Sequence, residues 1–443
     1  MIADFSPTLM ATLMLVLLMV AIMFGHPIAF VFGGLAVIFG FLIRGPAVFF
    51  LFTSQAMGVM DSWLLIAITM FIFMANLLVQ SGIADALFDS LRYLVGPLKG
   101  GVAIAVIIVG TVLAACTGVV GASVVSMGLA ALPVMLKYGY DKGLAAGAIC
   151  AGGTLGILIP PSIMMIALAD LTGLSAGKLL IGGIFPGLIL STLYVAYIGI
   201  TCARRPEMGP ALSLEERAAV PVRKRLIRAA ESLLPPGVLI LSVLGIIFTG
   251  IATPTEASAV GAFIAFLMTF VYRRFSWRML RDAVMATAKT VCMVMIIIVA
   301  TNCYTTVFLD LGGGAVLKDF MLGLGLGRWG AFFIMMVIIF ILGMPIERGG
   351  IIYLVMPVIL PVAIELGFDP LWFTICVAVN LQNAFISPPA GASMWYLQGV
   401  SQGTLTTADI FRGMWPFVGL QLIGLTICIA FPSMVLYLPN LIK

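Results

Sequence analysis

Two pairs of adjacent prolines interrupt apolar runs that are otherwise long enough to cross a bilayer. Pro160 and Pro161 form the first pair, and Pro388 and Pro389 form the second pair 228 residues later. A proline has no N–H group and its ring clashes with the carbonyl four residues back, so each pair predicts a broken helix. In lipid, broken backbone is tolerated only where it is buried in protein or lines a polar cavity. The two breaks therefore indicate a polar site inside a membrane protein.

Each break is expected to free backbone groups. The first pair predicts that the carbonyls of Gly156 and Ile157 lose their helical partners, and the second predicts the same for Ala384 and Phe385. Neutral oxygens of this kind suit Na⁺ better than a transition metal. The half-helix that starts at Ser162 directs N–H groups and the positive end of its dipole at the same place, which favours a carboxylate. Ion and anion would neutralise one another, and this is the predicted basis of coupling. Further donors at the breaks are side chains of Ser162, Ser387, Asn380, Gln382 and Asn383.

The composition fixes the protein class. Hydrophobic residues make up 62% of the 443 residues and charged residues 9%, which is more apolar surface than a soluble core absorbs. We expect an all-α polytopic membrane protein with about 10 transmembrane helices. The net charge of +5 does not indicate nucleic-acid binding, because most basic residues lie in a few short loops rather than in a basic domain. The seven cysteines lie in or at the ends of apolar runs without a pairing motif, so they are expected to be apolar filler.

Shorter apolar segments occur in two pairs, and each pair predicts a re-entrant helical hairpin whose tip reaches the middle of the membrane. Hairpin 1 covers about residues 102–136 and turns at residues 117–121. Hairpin 2 covers about residues 331–362 and turns at residues 343–350. The sequence therefore places one hairpin shortly before each broken helix.

The chain carries an internal duplication. At the same offset of 228, Pro133 matches Pro361, Asp141 matches Asp369, and the two proline pairs match each other. An ungapped match of this length indicates repeats rather than chance. We therefore expect two units that share one arrangement of hairpin and broken helix.

The predicted units are residues 8–202 and residues 233–438, joined by a basic loop at residues 203–232. If this loop is cytoplasmic, most of the 23 Lys and Arg residues fall on its side of the membrane, as the positive-inside rule expects. Hairpin 1 then enters from the cytoplasm and hairpin 2 from outside, so the repeats are inverted. Inverted repeats with broken helices are typical of secondary transporters.

Two other function classes fit the sequence less well than transport. A channel predicts a continuous polar path and uncoupled flux. An intramembrane enzyme lacks residues for its chemistry, because the chain has one histidine, His26, and no nucleophile with a base beside it. Within the transporters, proton coupling through Glu347 is the alternative to sodium coupling. Glu347 and Arg348 either pair with each other or contact the substrate, and both interpretations stay open.

Several segments resemble the large (M, or DctM-like) membrane subunit of the tripartite ATP-independent periplasmic (TRAP) transporters. They include GTLGILIPPS, GIATPTEASAV, VYRRFSWR and LGMPIERGG, and the resemblance covers nearly the whole chain. It implies a sodium-driven elevator in the bacterial inner membrane that imports organic acid anions, oxo-acids among them. It also implies a periplasmic substrate-binding protein (P) and a small four-helix membrane subunit (Q) as partners. The first tip departs from many members, because Val119 and Val120 stand where those have serines.

The same resemblance implies the residues of two sodium sites. The first sodium site would comprise Thr117, Gly118, Gly121, Gly153, Gly156 and Pro160. The second sodium site would comprise Gly343, Asn383, Ser387 and Pro388. Independently of the resemblance, the residue types at the breaks and at the tip of hairpin 2 give Ser162, Asn380, Gln382, Arg348 and Glu347 as the expected substrate contacts. No catalytic residue is expected, since the resemblance implies a transporter and not an enzyme.

Overall fold

The chain is helical wherever the computed structural model describes it. The described residues are 6–24, 26–212, 221–323, 325–344, 348–389 and 391–441, and within these ranges there is no β-strand. Eight helical segments of these ranges are long and apolar enough to cross a membrane, and further apolar helices have 10–17 residues. The prediction of an all-α polytopic membrane protein is therefore confirmed.

The helices of the first half of the chain are α1 (Pro7–Met23), α2 (Ile28–Arg44), α3 (Val48–Met60), α4 (Trp63–Gln80), α5 (Ile83–Val95), α6 (Gly101–Thr117), α7 (Val120–Lys137), α8 (Lys142–Thr154), α9 (Ile163–Thr172), α10 (Ala176–Gly182) and α11 (Ile184–Arg204). Short 3₁₀ turns occur at Gly45–Ala47, Leu155–Ile157 and Pro206–Met208.

The helices of the second half are α12 (Val222–Phe248), α13 (Pro254–Val271), α14 (Trp277–Asp310), α15 (Gly313–Gly323), α16 (Gly327–Gly343), α17 (Arg348–Glu365), α18 (Pro370–Ile386), α19 (Ala392–Val400), α20 (Thr407–Ala430) and α21 (Pro432–Leu441). Helices α6 and α7 are the arms of hairpin 1, and α16 and α17 are the arms of hairpin 2.

Two elements differ from the sequence predictions. Helix α3 lies where no helix was expected, and it packs on α14 with Leu51 and Val59 buried. Helix α12 begins at Val222, inside the predicted loop of residues 203–232, and continues without interruption to Phe248. The basic residues of its first turns therefore lie on a helix that extends the following span, because an exposed helix end tolerates arginine and lysine.

Most of the helices fall into two groups. The outer helices are α1–α4 and α12–α14, and many of their large apolar side chains are exposed, as lipid contact requires; examples are Phe30, Phe50, Leu241 and Phe263. The inner helices are α6–α11 and α16–α20. Helices α6, α8 and α18 are almost entirely buried. The two groups meet where α4 packs on α9 and where α14 packs on α17.

Equivalent aspartates start the two broken helices. The Leu144 N–H donates to Oδ1 of Asp141 at 2.9 Å before α8, and the Trp372 N–H donates to Oδ1 of Asp369 at 2.8 Å before α18. A carboxylate at this position satisfies an orphan N–H group and complements the helix dipole. Both broken helices thus begin with the same cap.

Three backbone hydrogen bonds connect the segment after α11 to the base of hairpin 1. They are Gly100 N–H to the Gly209 carbonyl at 2.7 Å, Leu212 N–H to the Gly96 carbonyl at 3.0 Å, and Asp141 N–H to the Met208 carbonyl at 3.0 Å. Because these bonds reach the loops that precede α6 and follow α7, both arms of hairpin 1 are held at one end. The tip of the hairpin is thereby positioned against α8 and α9.

Candidate functional site

The first broken helix changes direction between α8 and α9. Helix α8 ends at Thr154, a 3₁₀ turn follows at Leu155–Ile157, and the Pro160–Pro161 peptide bond is cis. Ser162 caps α9 by accepting the Met165 N–H at 3.3 Å. The break therefore presents the N-terminus of a ten-residue helix to the centre of the molecule.

The tip of hairpin 1 contacts this break directly. Gly118 has a φ of +61°, and a Cβ atom built on it would lie 2.3 Å from the Pro161 carbonyl oxygen. A Cβ atom built on Gly156 would lie 3.6 Å from the carbonyl carbon of Gly118. Position 118 thus requires glycine both for its left-handed backbone and for its close approach. The structure brings together the predicted site residues Gly118, Gly156 and the proline pair.

Two other predicted members of the first sodium site face different neighbours. A Cβ atom on Gly153 would lie 2.4 Å from Cγ2 of Val124, so Gly153 lies against α7. A Cβ atom on Gly121 would lie 3.1 Å from the ring of Tyr396 on α19. Gly121 therefore lies on the side of hairpin 1 that contacts the half-helix after the second break.

Thr117 has a polar partner that sequence reasoning missed. Its hydroxyl donates to the Leu113 carbonyl at 2.8 Å and lies 3.0 Å from Oγ of Ser123. Both side chains are buried, each with 1% exposure. The turn of the hairpin brings them together although six residues separate them, and a buried hydroxyl pair beside a glycine tip is the signal that identifies Ser123 as a further candidate ligand.

The second broken helix repeats the arrangement. Helix α18 ends at Ile386, the Pro388–Pro389 bond is cis, and α19 resumes at Ala392. The last residue of α16 packs against it, because a Cβ atom on Gly343 would lie 2.8 Å from Cβ of Ala384. The Ser387 hydroxyl donates to the Asn383 carbonyl at 2.7 Å. The predicted residues Gly343, Asn383, Ser387 and Pro388 therefore lie around one break.

Three of the four carbonyls that were predicted to lose their helical partners accept other donors, so they are not free. The Ile157 carbonyl accepts the Ser162 hydroxyl at 2.5 Å, and the Phe385 carbonyl accepts the Ser393 hydroxyl at 2.9 Å. The Ala384 carbonyl accepts the Ser387 N–H at 3.3 Å. Serine side chains at the starts of α9 and α19 replace the donors that the prolines remove. A carbonyl has two lone pairs, so these oxygens keep capacity for a cation.

The predicted substrate residues of α18 point in different directions. The Asn380 amide donates to the Met336 carbonyl at 2.6 Å, which fixes it on hairpin 2. Gln382 lies about 200° further round the helix, on the side of Ile375, which contacts Gly182 of α10. Gln382 and Asn383 are both fully buried, and neither amide has a hydrogen-bond partner within the described ranges. An unpaired buried amide is costly, so these two side chains are the strongest indication of a missing polar ligand.

For the other predicted substrate residues, the structure gives a helix cap at Ser162 and describes neither side chain of the pair at the tip of hairpin 2. Ser162 is fully buried. Its hydroxyl donates to the Ile157 carbonyl and accepts the Met165 N–H, so Ser162 serves as a helix cap. Helix α17 starts at Arg348, whose side chain lies outside the part of the chain that the structure describes. Glu347 also lies outside the described residues.

A cavity of about 90 Å³ lies where the two groups of helices meet. Its wall includes the tip of hairpin 1, the start of α9, hairpin 2 and the outer helices α4 and α14. The lining residues are Ile68, Ile72, Gly118, Val119, Ile163, Met164, Ala167, Thr290, Met293, Val294, Ile297, Ile298, Ile352 and Tyr353. Because its wall includes Gly118 and Ile163, the cavity adjoins the first break and is the candidate solute site.

One protein family and several of its members are similar to this chain over most of its length. The family model for the tripartite ATP-independent periplasmic transporter, DctM component, matches residues 15–434. The C4-dicarboxylate TRAP transporter large permease protein DctM of Pseudomonas aeruginosa is 33% identical over 383 residues, which are 86% of this chain and 87% of that protein. The isethionate TRAP transporter permease protein DctMQ of Oleidesulfovibrio alaskensis is 29% identical over 378 residues, which are 85% of this chain and 58% of that protein.

A solved structure has the same fold. The YdaH transporter of Alcanivorax borkumensis aligns with a TM-score of 0.64 at 15% identity, over 97% of this chain and 99% of that chain. At this identity the likeness shows the fold alone. The match of the family model over nearly the whole length, together with the similarity to the DctM protein of P. aeruginosa, shows that the chain is a multi-pass membrane transport protein and not an enzyme. The chain belongs to the DctM component family of the tripartite ATP-independent periplasmic transporters.

Proposed function

We propose that this chain imports an organic acid anion together with Na⁺ across the bacterial inner membrane. In this proposal the inner helices carry the cargo by an elevator movement against the outer helices. A periplasmic substrate-binding protein delivers the anion, and a small membrane subunit completes the transporter.

The single observation that carries the proposal is the contact between the tip of hairpin 1 and the first break. Gly118 lies against the Pro161 carbonyl, and Thr117 and Ser123 add buried hydroxyls to the same tip. Backbone and hydroxyl oxygens without a formal charge suit a monovalent cation such as Na⁺. The N-terminus of α9 at this break supplies N–H groups and a positive dipole end for a carboxylate.

The second break supports a second ion. Asn383 is fully buried with an unpaired amide, and the Ser387 hydroxyl and the end of α16 lie beside it. A bound cation would satisfy the amide oxygen of Asn383. We therefore assign one sodium ion to each break, as the resemblance to the family implies.

Matched caps and breaks support inverted repeats. Asp141 and Asp369 cap the two broken helices in the same way, and each cap precedes its proline pair at the same spacing. Each break also faces the end of a hairpin. Two such halves of opposite orientation are the basis of alternating access in secondary transporters.

The contact between the two groups of helices supports a sliding movement. At the cavity between the two groups, the outer helices contribute Ile68 and Ile72 of α4, and the inner helices contribute Ala167 and Ile352. Apolar surfaces of this kind have few hydrogen bonds that must break when one group of helices moves along the other. Movement of the inner helices as one body would then carry the site from one side of the membrane to the other.

The relatives support the choice of cargo and partners. The protein from P. aeruginosa is named for C4-dicarboxylates, and the one from O. alaskensis for isethionate. We therefore propose an organic anion as the cargo. The name DctMQ and the partial coverage of that longer chain fit a large subunit that works beside a small one.

Uptake into proteoliposomes tests this function. The full chain with its small subunit is reconstituted, and a radiolabelled organic acid is added together with its periplasmic binding protein. We expect accumulation only with an inward sodium gradient and only with the binding protein. A sodium-free pH gradient is the control, because accumulation under it would contradict sodium coupling and favour proton coupling. Flux that merely equalises concentrations would indicate a channel.

A further inference from the structure

The candidate solute cavity adjoins the proposed carboxylate position. Gly118 and Val119 bring the tip of hairpin 1 to its wall, and Ile163 and Met164 bring the first residues of α9. A carboxylate held by the N-terminal N–H groups of α9 would therefore direct the rest of the solute into this cavity. The composition of the wall then decides which solute fits.

The described part of the wall is apolar. None of the described lining residues is charged, and the only side chains with hydroxyl groups are Thr290 and Tyr353. Both hydroxyl hydrogens are already used, since Thr290 donates to the Ala286 carbonyl at 3.0 Å and Tyr353 donates to Oδ2 of Asp170 at 3.3 Å. Beyond the carboxylate position, the described part of this wall offers a polar solute no free side-chain donor.

The wall therefore favours one class of organic acid. Each buried methylene of a solute strengthens binding roughly fourfold, whereas each hydroxyl that loses water without gaining a partner weakens it by roughly tenfold or more. A second carboxylate buried against isoleucine costs still more. The volume of about 90 Å³ is well below the ~300 Å³ at which sites for drug-sized ligands begin, so the apolar part has to be short.

We infer that the solute is a monocarboxylate with a short apolar body, and not a dicarboxylate or a polyhydroxy acid. This inference rests on the proposed function, because it takes the first break as the carboxylate position. It separates this chain from the relative that is named for C4-dicarboxylates.

Thermal unfolding of the purified full chain with three probes tests the inference. The probes are isovalerate, with one carboxylate and a branched apolar body; succinate, with two carboxylates; and gluconate, with one carboxylate and several hydroxyls. Each is titrated at constant sodium and ionic strength, and the apparent Kd follows from the shift of the unfolding midpoint. We expect the Kd of isovalerate to be at least roughly tenfold lower than that of either other probe. The titrations are repeated with choline in place of sodium.

Matched variants connect the preference to the cavity. Ile72→Val and Ile72→Thr leave nearly the same void, but only the threonine adds a hydroxyl to the wall. We expect Ile72→Thr to bind isovalerate several-fold more weakly than Ile72→Val. Ile66→Thr is the control on the same helix, because Ile66 is 45% exposed on the outer surface, and it should bind isovalerate like the unmodified chain. The midpoint of each variant without a probe shows whether it is folded.

Three results would overturn the inference. The first is that succinate or gluconate binds as tightly as isovalerate. The second is that Ile72→Thr and Ile72→Val bind isovalerate equally. The third is that no probe binds to a protein that sodium alone stabilises. The proposed function is judged separately: it fails if sodium has no effect on the midpoint and sodium gradients drive no uptake.

Discussion

The Ser62 hydroxyl donates a hydrogen bond of 2.8 Å to Oδ1 of Asp170. Ser62 directly precedes the outer helix α4, whereas Asp170 lies in the last turn of the inner helix α9. The Tyr353 hydroxyl of hairpin 2 donates to the other carboxylate oxygen at 3.3 Å. One carboxylate therefore connects an outer helix, the half-helix after the first break, and hairpin 2.

A disulfide at this contact should stop transport. In the double variant Ser62→Cys with Asp170→Cys, oxidation joins α4 to α9 and prevents the inner helices from moving against the outer ones. We expect sodium-driven uptake to fall to background on oxidation and to return on reduction, as measured in proteoliposomes. Each single cysteine variant, oxidised in the same way, is the control. Full uptake by a completely cross-linked sample would rule out movement at this contact.

The close approach of Gly118 to the first break gives a second prediction. Alanine at this position adopts the left-handed backbone at a cost of roughly 1–2 kcal/mol and also clashes with the Pro161 carbonyl. We expect Gly118→Ala to lose sodium-dependent thermal stabilisation. Gly173→Ala is the matched control, because Gly173 has a φ of +67° but no atom within 4 Å of its built Cβ. Equal behaviour of the two variants would mean that backbone strain alone matters at the tip.

The breaks could be predicted from sequence because proline acts locally. The missing N–H of Pro160 and Pro161 breaks the helix whatever surrounds it, and the turn after Thr117 is indicated by its glycines. The donors that the freed carbonyls accept instead could not be predicted in this way. Ser393 reaches the Phe385 carbonyl only because the chain bends between α18 and α19, and that geometry is not encoded in spacing along a straight helix.

Two other features could not be predicted from the sequence, for related reasons. Helix α3 has 13 residues, fewer than the ~20 that a transmembrane helix needs, so hydropathy and length gave no span there. Ser123 and Thr117 meet only through the turn of hairpin 1. The sequence thus indicates which backbone is unusual, whereas the side chains that complete each break depend on tertiary contacts.

The unpaired amide of Asn383 gives a third prediction. If the amide is present to bind a cation, Asn383→Leu should abolish part of the sodium-dependent stabilisation while leaving the sodium-free midpoint equal or higher, because an unpartnered buried amide costs stability. Unfolding midpoints with sodium and with choline measure both effects. Thr374→Val on the same helix, also fully buried, is the control and should keep the response to sodium. A large loss of stability without sodium would instead indicate that Asn383 has a structural role.

Replacing both prolines of the first break tests the assumption on which the site depends. In the variant Pro160→Ala with Pro161→Ala, the backbone regains two N–H donors, and the carbonyls of Gly156 and Ile157 come within reach of helical partners. The tip of hairpin 1 would then face a continuous helix, without the N-terminus of α9 beside it. We expect sodium-dependent stabilisation and uptake to be lost together, while the sodium-free midpoint stays similar or rises. Pro133→Ala is the control, because Pro133 lies inside helix α7 without breaking it and is exposed. If the double variant transports normally, the open backbone at Pro160 and Pro161 holds neither the cation nor the carboxylate, and the binding groups have to be sought on side chains alone.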